Sequence, residues 1–267
     1  MSTAAKSLDT ESLLLRADAG GVTTLTLNRP AQYNALNEAL LDALHEAVDA
    51  IERDESVRVV VLAANGKAFC SGHDFKEMKA NRSDDYYLTM FNRSSELMLR
   101  LLELPKPVIA RVQGIATANG CNLVATSDLA VAAGDAKFAV SGVNYGLFCS
   151  TPSVGLARNV SRKRAFEMLF TGEFIDAETA KDYGLVNRVV PAASLDAEIA
   201  SICRLILSKS PVAIATGKRM FYTQVEKSVK DAYAFASEVM ARNMMSEDAA
   251  EGVDAFIEKR APVWKGK

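Results

Sequence analysis

The chain has 267 residues, of which 49% are hydrophobic and 24% are charged. A chain of this length can form one large core, or one core with a smaller appendage. The net charge of −2, with basic residues scattered along the chain, argues against a nucleic-acid partner. No apolar run reaches the roughly 18 residues of a membrane span, so we expect no membrane partner.

The N-terminal sequence "MSTAAKSLDTESLLLR" has no apolar core of the kind found in secretory signals. Asp9 and Glu11 are also atypical of an arginine-rich transit peptide. These features predict a soluble cytoplasmic protein.

The cysteine pattern argues against a metal site. The four cysteines are widely spaced and form no Cys-x-x-Cys motif: Cys70, Cys121, Cys149 and Cys203. His45 and His73 are the only histidines, which leaves too few well-spaced ligands for zinc. We therefore expect structural thiols and no bound metal.

The first third of the chain has an α/β pattern. "VTTLTLNRP" is rich in β-branched residues and is expected to end as a strand at Pro30. Asn37 is a suitable N-cap for a helix whose apolar residues recur at helical spacing: Leu40, Leu41, Leu44, Val48 and Ile51. "VRVVVLAA", from Val57 to Ala64, then reads as a buried parallel strand. Strand, helix and strand in this order indicate an α/β fold.

Further alternating elements follow in the middle of the chain. The loop "NGKAFCSGHDFKEM" precedes a predicted helix from Asp84 to Leu104, whose buried face we expect to contain Leu88, Phe91, Met98 and Leu102. "VIARVQG" is a predicted strand, followed by the turn "GIATANGC" and a helix beginning near Gly120. "LAVAAGDAKFAV" is typical of two short strands around a turn.

The last hundred residues are predominantly helical in pattern. The charge-free stretch "FAVSGVNYGLFCSTPSVGLA" is loop-like and indicates burial, in a core or along an apolar pocket. Helices are then expected to begin at Asp176, at Pro211 and after Ser246. The chain is thus predicted to divide into an α/β core over 1–190 and a C-terminal helical oligomerisation region over 191–267.

Two turns have the same physical character. In "CSGHDF" and in "TANGCN" a strand ends and a glycine flanks the start of a helix. Free backbone N–H groups at helix starts point outward and favour negative charge. Two such turns facing each other would form an oxyanion hole, although two ordinary loops give the same pattern. The dinucleotide, phosphate-loop and nucleophile-elbow motifs are absent from the sequence.

Five motifs occur in the order and spacing of one known family: "LNRPAQYNAL", "GKAFCSGHDFKEM", "KPVIARVQGIATANGCNLVATSDLAVA", "EMLFTGEFIDAETAKDYGLVNRVV" and "AFIEKRAPVW". In these motifs the chain resembles the enoyl-CoA hydratase/isomerase (crotonase) superfamily over nearly its whole length. The resemblance implies a crotonase-type spiral of ββα units. It also implies a C-terminal helical trimerisation region, and thus a homotrimer or a hexamer.

The resemblance further implies an acyl-CoA substrate, with coenzyme A as part of that substrate and no separate cofactor. By motif position, the backbone N–H groups of His73 and Asn119 would bind the thioester oxygen. The residues expected to line the coenzyme A and acyl path are Arg29, Ala31, Tyr33, Ala35, Ser71, Asp74, Phe75, Ile115, Gly120 and Ser141.

Hydratases of this superfamily use two glutamates, and the chain has neither. By motif position, Asn122 and Gly142 replace them. An amide does not titrate and glycine has no side chain, so we expect no hydration by the standard two-glutamate route. Ser150 occupies the position at which other branches place an acid or a nucleophile. Other candidate replacements are Ser141, Tyr145, Cys149 and the His73 ring, which could instead contact only coenzyme A or solvent.

Two functions remain open from the sequence. The first is a crotonase-type lyase, isomerase or hydrolase that stabilises a thioester enolate with altered acid-base residues. The second is a non-catalytic acyl-CoA-binding protein or partner subunit of the same fold. A protease-like use of His73 with a serine is a remote third alternative.

Overall fold

A computed structural model of the chain describes residues 12–267, and the residues on which the N-terminal prediction depends lie mostly outside that range. The strands are β1 Leu14–Ala19, β2 Val22–Leu27, β3 Val59–Ala64, β4 Ala68–Cys70, β5 Val108–Val112, β6 Ile115–Thr117, β7 Leu129–Ala133, β8 Lys137–Ala139, β9 Ile175–Asp176 and β10 Arg188–Val190. The helices are α1 Glu38–Arg53, α2 Phe75–Ala80, α3 Asp84–Glu103, α4 Asn119–Thr126, α5 Ser150–Asn159, α6 Arg162–Thr171, α7 Ala177–Tyr183, α8 Leu195–Leu207, α9 Pro211–Gln224, α10 Val229–Met244 and α11 Glu247–Glu258.

A six-stranded sheet in the order β1-β2-β3-β5-β7-β10 forms the centre of the fold. Only β1 and β2 pair antiparallel, and the other neighbours are parallel. Both faces of the sheet are covered, which explains why β3 is apolar at every position. Val60 and Leu62 belong to the main core, whereas Val59 and Val61 pack with α8 on the opposite face. The α/β prediction is confirmed.

A second sheet, in the order β4-β6-β8-β9, positions the two predicted turns. Strands β4 and β6 pair in parallel, so their carboxyl ends lie at the same edge. The segment from Ser71 to Asp74 leaves that edge after β4, and Ala118 leaves it after β6. The sheet therefore brings the starts of α2 and α4 to one place.

The structure confirms the predicted face of α1 and corrects that of α3. The side chain of Asn37 caps α1 by accepting a hydrogen bond from the Leu40 N–H at 3.1 Å. In α3 the buried residues are Met90, Ser94, Leu97, Met98 and Leu101, whereas Leu88 is 63% exposed. Consecutive apolar residues in this helix allow more than one face, and packing against α1 and α4 selects between them.

The charge-free stretch after β8 is more ordered than its loop-like sequence predicts. A 3-10 turn spans Ser141–Tyr145, and α5 begins at Ser150. The predicted helix starts later in the chain are confirmed, with Asp176, Ser210 and Ser246 each accepting a backbone N–H as an N-cap.

The C-terminal helices leave much apolar surface exposed. Within α9 only Lys218 is buried, and α10 has no buried residue. Lys218 attaches α9 to the core through Asp128, with Nζ 2.7 Å from Oδ2. Helix α8, by contrast, packs directly on the six-stranded sheet. The division at residue 190 stays a prediction.

Among residues 12–267, no single helix has both the length and the hydropathy needed to span a membrane. Two successive helical segments, Ala192–Leu207 and Pro211–Gln224, have the required length and hydropathy only when they are taken together. The chain bends by 103° between them.

Candidate active site

The two predicted turns are in contact. Gly72 has φ +93°, and a β-carbon on it would lie 2.9 Å from Ala118 Cβ and 3.3 Å from the Asn119 backbone nitrogen. Such a φ strains any residue with a side chain, and the contact leaves no room for one. Glycine at this position therefore allows the "CSGHDF" turn to approach the start of α4.

The direction of the His73 backbone N–H follows from the hydrogen bond of the preceding carbonyl. The Gly72 carbonyl accepts a hydrogen bond from the Leu36 N–H at 2.8 Å. In a trans peptide the carbonyl and the N–H of the same unit point in opposite directions. Because that carbonyl faces Leu36, the His73 N–H faces away from Leu36.

The second donor is the first N–H of α4. Ala118, just before it, adopts φ 50° and ψ −121°, an uncommon conformation for a residue with a side chain. Its own N–H donates to the Ala139 carbonyl at 3.0 Å, which anchors the turn to β8. As the first residue of the helix, Asn119 has a backbone N–H that the helix itself does not use. Strain of this kind is concentrated at functional sites.

A chain of buried side-chain hydrogen bonds lies behind this second turn. Asn119 Nδ2 donates to Ser94 Oγ at 2.6 Å, and Asn122 Nδ2 donates to Asn119 Oδ1 at 3.2 Å. Asn122 is only 4% exposed, and its Oδ1 has no partner among the described residues. The position predicted to have lost its glutamate thus holds a buried, uncharged amide.

The His73 ring is buried beside α3. It contacts Phe91 edge-on, with ring centroids 5.4 Å apart. Burial lowers the pKa of His73 to about 4, so the imidazole is neutral near pH 7. Neither ring nitrogen makes a hydrogen bond of good geometry in the described part of the chain, although the Leu36 backbone lies close enough to offset part of the effect of burial on the pKa. A pKa this low makes the ring a weak base at neutral pH.

The predicted coenzyme A segment from Arg29 to Ala35 lies against the first turn. The Ser71 N–H donates to the Tyr33 carbonyl at 3.1 Å. Arg29 Nη2 lies 2.9 Å from Asp74 Oδ2, and Arg29 Nη1 donates to the Ala35 carbonyl. These contacts connect the two segments.

Asp74 orients the start of α2. Its Oδ1 accepts the Lys76 N–H at 3.0 Å and the Glu77 N–H at 3.4 Å. Burial opposes the charge on this carboxylate, but the hydrogen bonds from Arg29 and the helix outweigh it and hold the pKa of Asp74 below its usual range. Asp74 is therefore an ionised, paired group rather than a free acid.

The segment after β8 forms the third side of the site. Ser141 Oγ lies 2.9 Å from Thr117 Oγ1, and the Gly142 N–H donates to Cys149 Sγ at 3.2 Å. A β-carbon on Gly142 would lie 2.8 Å from both Cys149 Sγ and the Leu147 carbonyl oxygen. Burial raises the pKa of the Cys149 thiol, so this candidate nucleophile is not activated.

The exposed rings of Phe75 and Tyr145 mark the rim of the site. Their centroids are 5.6 Å apart, and the residues are 49% and 67% exposed. This contact brings the start of α2 to the 3-10 turn. Tyr145 is therefore at the surface of the site rather than beside the two N–H groups.

The other predicted residues differ in burial and in their position along the strands. Ile115 begins β6, at the opposite end of that strand from Ala118, and Ala31 and Ser150 are exposed. Gly120 is part of the site only through packing, since a β-carbon on it would lie 2.0 Å from the Cys70 carbonyl oxygen. These residues contribute no side-chain donor or acceptor next to the turns.

One nearby carboxylate is already engaged elsewhere. Glu77 Oε2 accepts the Glu38 N–H at 3.0 Å. Glu38 comes two residues after Leu36. The Leu36 N–H bonds to the Gly72 carbonyl, which points in the opposite direction from the His73 N–H. Glu77 is therefore engaged with the start of α1.

Ser94 and the strained Ala118 were not among the site residues predicted from the sequence. Ser94 is a buried polar residue on the core face of α3, and a correct assignment of that face would have identified it. The conformation of Ala118 has no signal in the sequence, because alanine rarely adopts a positive φ.

A separate groove of about 730 Å³ lies across the opposite face of the six-stranded sheet, beside α8. Its lining includes Thr24 and Arg111, and Arg111 is paired with Asp196. None of the residues that line it belongs to the two turns.

Together, the fold and the contact between the turns define the class of protein. The profile of the family described as "Enoyl-CoA hydratase/isomerase" matches residues 17–267. The chain belongs to the enoyl-CoA hydratase/isomerase family. The motifs "GIATANGC" and "GVNYGLFCSTP" additionally resemble one group within it, called enoyl-CoA hydratase domain-containing protein 3.

Curated relatives confirm this closer resemblance. The chain is 46% identical over 244 residues to the mitochondrial enoyl-CoA hydratase domain-containing protein 3 of Xenopus laevis, covering 91% of this chain and 83% of that protein. It is 43% identical over 244 residues to the Homo sapiens protein of the same name, covering 91% and 80%. It is 34% identical over 251 residues to the 2,3-dehydroadipyl-CoA hydratase of Escherichia coli, covering 92% and 96%.

Solved structures agree with the assignment. An enoyl-CoA hydratase from Mycobacterium smegmatis matches with a TM-score of 0.94 and 59% identity, covering 95% of this chain and 99% of that one. The human enoyl-CoA hydratase domain-containing protein 3 matches with a TM-score of 0.92 and 42% identity, covering 95% and 100%. The predicted crotonase-type fold is confirmed.

The prediction of a cytoplasmic location is wrong by the same comparison. The similar proteins from Xenopus laevis, Mus musculus and Homo sapiens are all named as mitochondrial. The prediction depended on the composition of the N-terminal segment, and residues 1–11 lie outside the described part of the chain.

Proposed function

We propose that this protein binds an acyl-CoA thioester and stabilises its enolate with the backbone N–H groups of His73 and Asn119. The observation that carries the proposal is the contact of Gly72 with Ala118 and Asn119, which places the two turns side by side. The names of the relatives support the substrate class, since the Escherichia coli relative is a hydratase of a CoA thioester.

The proposed chemistry depends on where negative charge develops. When a proton leaves the α-carbon of a thioester, or a nucleophile adds to the β-carbon, charge accumulates on the carbonyl oxygen. Two fixed N–H groups stabilise that charge without reorganising, and losing one such donor typically costs about 10²–10³ in rate. The N-terminal end of α4 adds a favourable dipole next to the Asn119 donor.

Hydration by two glutamates is not part of this proposal. Asn122 is a neutral amide, and Gly142 has no side chain. Two of the candidate replacements are not activated: the pKa of the His73 ring is about 4 and that of the Cys149 thiol is raised. The reaction we propose is therefore one that needs enolate stabilisation but no strong base from these positions, such as a decarboxylation, in which the electrons of the broken C–C bond form the enolate as CO2 leaves, or a slow hydration.

A non-catalytic acyl-CoA-binding protein or partner subunit is the second candidate. The specific observation in its favour is that the buried Asn122 and Gly142 occupy the two positions from which the acid and base would act. Such a protein would retain the N–H groups and the thioester site without turning the ligand over.

Calorimetry and a turnover panel separate the two candidates. We expect the protein to bind butyryl-CoA and crotonyl-CoA, and to convert at least one member of a panel of enoyl-, malonyl- and hydroxyacyl-CoA thioesters. Binding without conversion of any thioester class would favour the non-catalytic candidate. An absence of binding to every thioester would contradict both.

We also propose that the protein is a homotrimer or a hexamer. The C-terminal helices expose large apolar side chains, including Tyr233 at 74%, Met240 at 62% and Phe256 at 85%. Amphipathic helices added to a complete core usually bury such residues against another surface. The family match extends over the C-terminal helices, which supports a second copy of this chain as the surface against which they pack.

A further inference from the structure

The groove beside α8 is a second concave surface, and the proposed function does not use it. Its volume of about 730 Å³ is within the range of small-molecule sites. Strands β2 and β3 contribute to its floor, and α8 forms one wall. No residue of the two turns lines it, so a ligand in the groove would leave the proposed thioester site free.

The floor of the groove follows from the alternation of side chains along β2. Every second residue of this strand is buried, and the residues between them line the groove: Val22, Thr24 and Thr26. Helix α8 packs on β3, β5 and β7. This face of β2 therefore lies beside α8 and stays half-buried.

One face of α8 runs along the groove. The residues of α8 that line it recur at intervals of three and four: Asp196, Ile199, Ala200, Cys203, Arg204 and Leu207. From the first to the last they extend about 16 Å along the helix, at about 1.5 Å per residue. A β-carbon on Gly21 would lie 3.1 Å from Leu207 Cδ2, so the groove ends there against an apolar side chain.

The other end of the groove holds a guanidinium. The Arg111 side chain is 21% exposed, and its Nε donates to Asp196 Oδ1, whose side chain is 80% exposed. Water screens a pair of this kind, so the exposed carboxylate compensates the arginine only weakly. The bond uses Nε alone, and the two terminal nitrogens form the fork that binds both oxygens of a carboxylate.

A small residue leaves space next to this guanidinium. Thr26 pairs with Ala63, and Leu62 pairs with Ala110, so Arg111 is the next residue across from Ala63. Thr26 and Arg111 therefore lie on either side of Ala63, about 10 Å apart at two strand spacings. All three residues line the groove. A hydroxyl and a guanidinium thus flank a methyl group, with room for a polar head group between them.

We propose that the groove binds an unbranched fatty acid, with its carboxylate between Arg111 and Thr26 and its alkyl chain along α8 toward Leu207. Two arginines and one aspartate line the groove, so its net positive charge complements a carboxylate. The apolar residues of the α8 wall and of β3 contact the chain. The inference is independent of the proposed function, because it uses none of the residues in the two turns.

Three ligands test the head group and the chain separately. By calorimetry on the full-length protein, below the concentration at which micelles form, we expect decanoate to bind at least about tenfold tighter than decanol, which lacks the charge. Decanoate should also bind at least about tenfold tighter than hexanoate, whose shorter chain buries fewer methylene groups. Equal affinity for decanoate and decanol, or for decanoate and hexanoate, would overturn the inference.

Substitutions assign the binding to the groove. Arg111→Gln should weaken decanoate binding at least about tenfold. Arg188→Gln is the matched control and should keep full affinity, because Arg188 also joins the sheet to α8, through Glu198, but does not line the groove. Ala200→Phe, at an exposed position on the α8 wall, should weaken binding by filling the groove, and it decides the inference if Arg111→Gln does not fold. Full decanoate affinity in both groove variants would overturn the inference.

Gly72→Ala distinguishes the groove from the proposed thioester site. This change alters the contact between the two turns, which lie apart from the groove, and should leave decanoate affinity unchanged. Loss of decanoate binding in Gly72→Ala, with affinity retained in Arg111→Gln, would place the fatty acid between the turns and overturn the inference. That outcome would not count against the proposed function.

Discussion

The Asn119 backbone nitrogen lies 3.3 Å from the point at which Gly72 would carry a β-carbon. We therefore expect Gly72→Ala to separate the two turns and weaken butyryl-CoA binding at least about tenfold, because the thioester oxygen would lose one of two donors. Gly146→Ala is the control, since Gly146 also has a positive φ of +75° but has no atom within 4 Å of its β-carbon position. Calorimetry gives the butyryl-CoA affinity of both variants. An equal loss of affinity in the two would mean that backbone strain at a positive φ, and not separation of the turns, weakens binding.

Gly142 limits any attempt to restore hydration. By motif position, Asn122→Glu should raise crotonyl-CoA hydration if the pocket geometry is preserved, and no gain from the Asn122→Glu, Gly142→Glu double variant would mean that this geometry has drifted. In the structure, a β-carbon at residue 142 meets Cys149 Sγ and the Leu147 carbonyl at 2.8 Å. Because a side chain at residue 142 has no room, we expect no gain in crotonyl-CoA hydration by the double variant, measured by loss of enoyl absorbance.

The same contact predicts a loss of stability. Gly142→Ala should lower the free energy of unfolding by about 1–3 kcal/mol, since a backbone carbonyl cannot move aside cheaply. Gly134→Ala is the matched control, because its nearest neighbour is 3.9 Å from the β-carbon position. Urea unfolding of both variants gives the comparison, and an unchanged midpoint for Gly142→Ala would show that the loop after it moves easily.

His73 should make stability depend on pH between about 6.5 and 4. Its pKa is lowered by burial from 6.5 to about 4, so the unfolded chain binds a proton in this range before the folded protein does. Stability is therefore complete above pH 6.5 and decreases as the pH falls, by about 3 kcal/mol at pH 4. Urea unfolding of wild type and His73→Phe as a function of pH isolates this contribution.

The difference between those two curves is the informative quantity. Burial raises the pKa of Glu77, so protonation of Glu77 increases the stability of the folded protein as the pH falls. This contribution is the same in wild type and in His73→Phe, and it cancels when one stability curve is subtracted from the other. Parallel curves from pH 7 to pH 4 would mean that His73 accepts its proton as readily in the folded state as in the unfolded chain.

Lys218 should be the main electrostatic anchor of α9. Its ammonium lies 2.7 Å from Asp128 Oδ2 and also donates to the carbonyls of Leu101 and Lys106. Lys218→Met would leave the Asp128 side chain, which is only 14% exposed, without its cation, and we expect a loss of about 3–5 kcal/mol in urea unfolding. Arg242→Gln removes the exposed Arg242–Glu238 pair instead and should cost under about 0.5 kcal/mol.

The apolar C-terminal surface predicts self-association. Sedimentation at micromolar concentration should give a trimer or hexamer, and Tyr233→Glu with Met240→Glu should shift the mass toward the monomer. Leu99→Glu, at a 57% exposed position on α3, is the control outside the C-terminal region. A wild-type monomer would contradict the proposed assembly.

Sequence predictions were correct for features that depend only on interactions between residues close together in the chain. Asn37, Asp176 and Ser246 cap helices as expected, because an N-cap needs only a short side chain and its own next turn. The buried face of α3 was assigned incorrectly, because apolar residues at consecutive positions are compatible with several faces. Packing against α1 and α4 then chose Leu97 and Leu101.

The sequence by itself determined the α/β class, the family and the identity of the uncharged residues at 122 and 142, since these depend on residue type and spacing along the chain. Only the tertiary structure decided that the turns at Gly72 and Ala118 touch, that Glu77 accepts the Glu38 N–H, and that Asn122 is linked to Ser94 through Asn119. Each of these relationships joins residues that are far apart in sequence or depends on the direction in which a side chain points. Direction and long-range contact arise only when the sheets and helices pack.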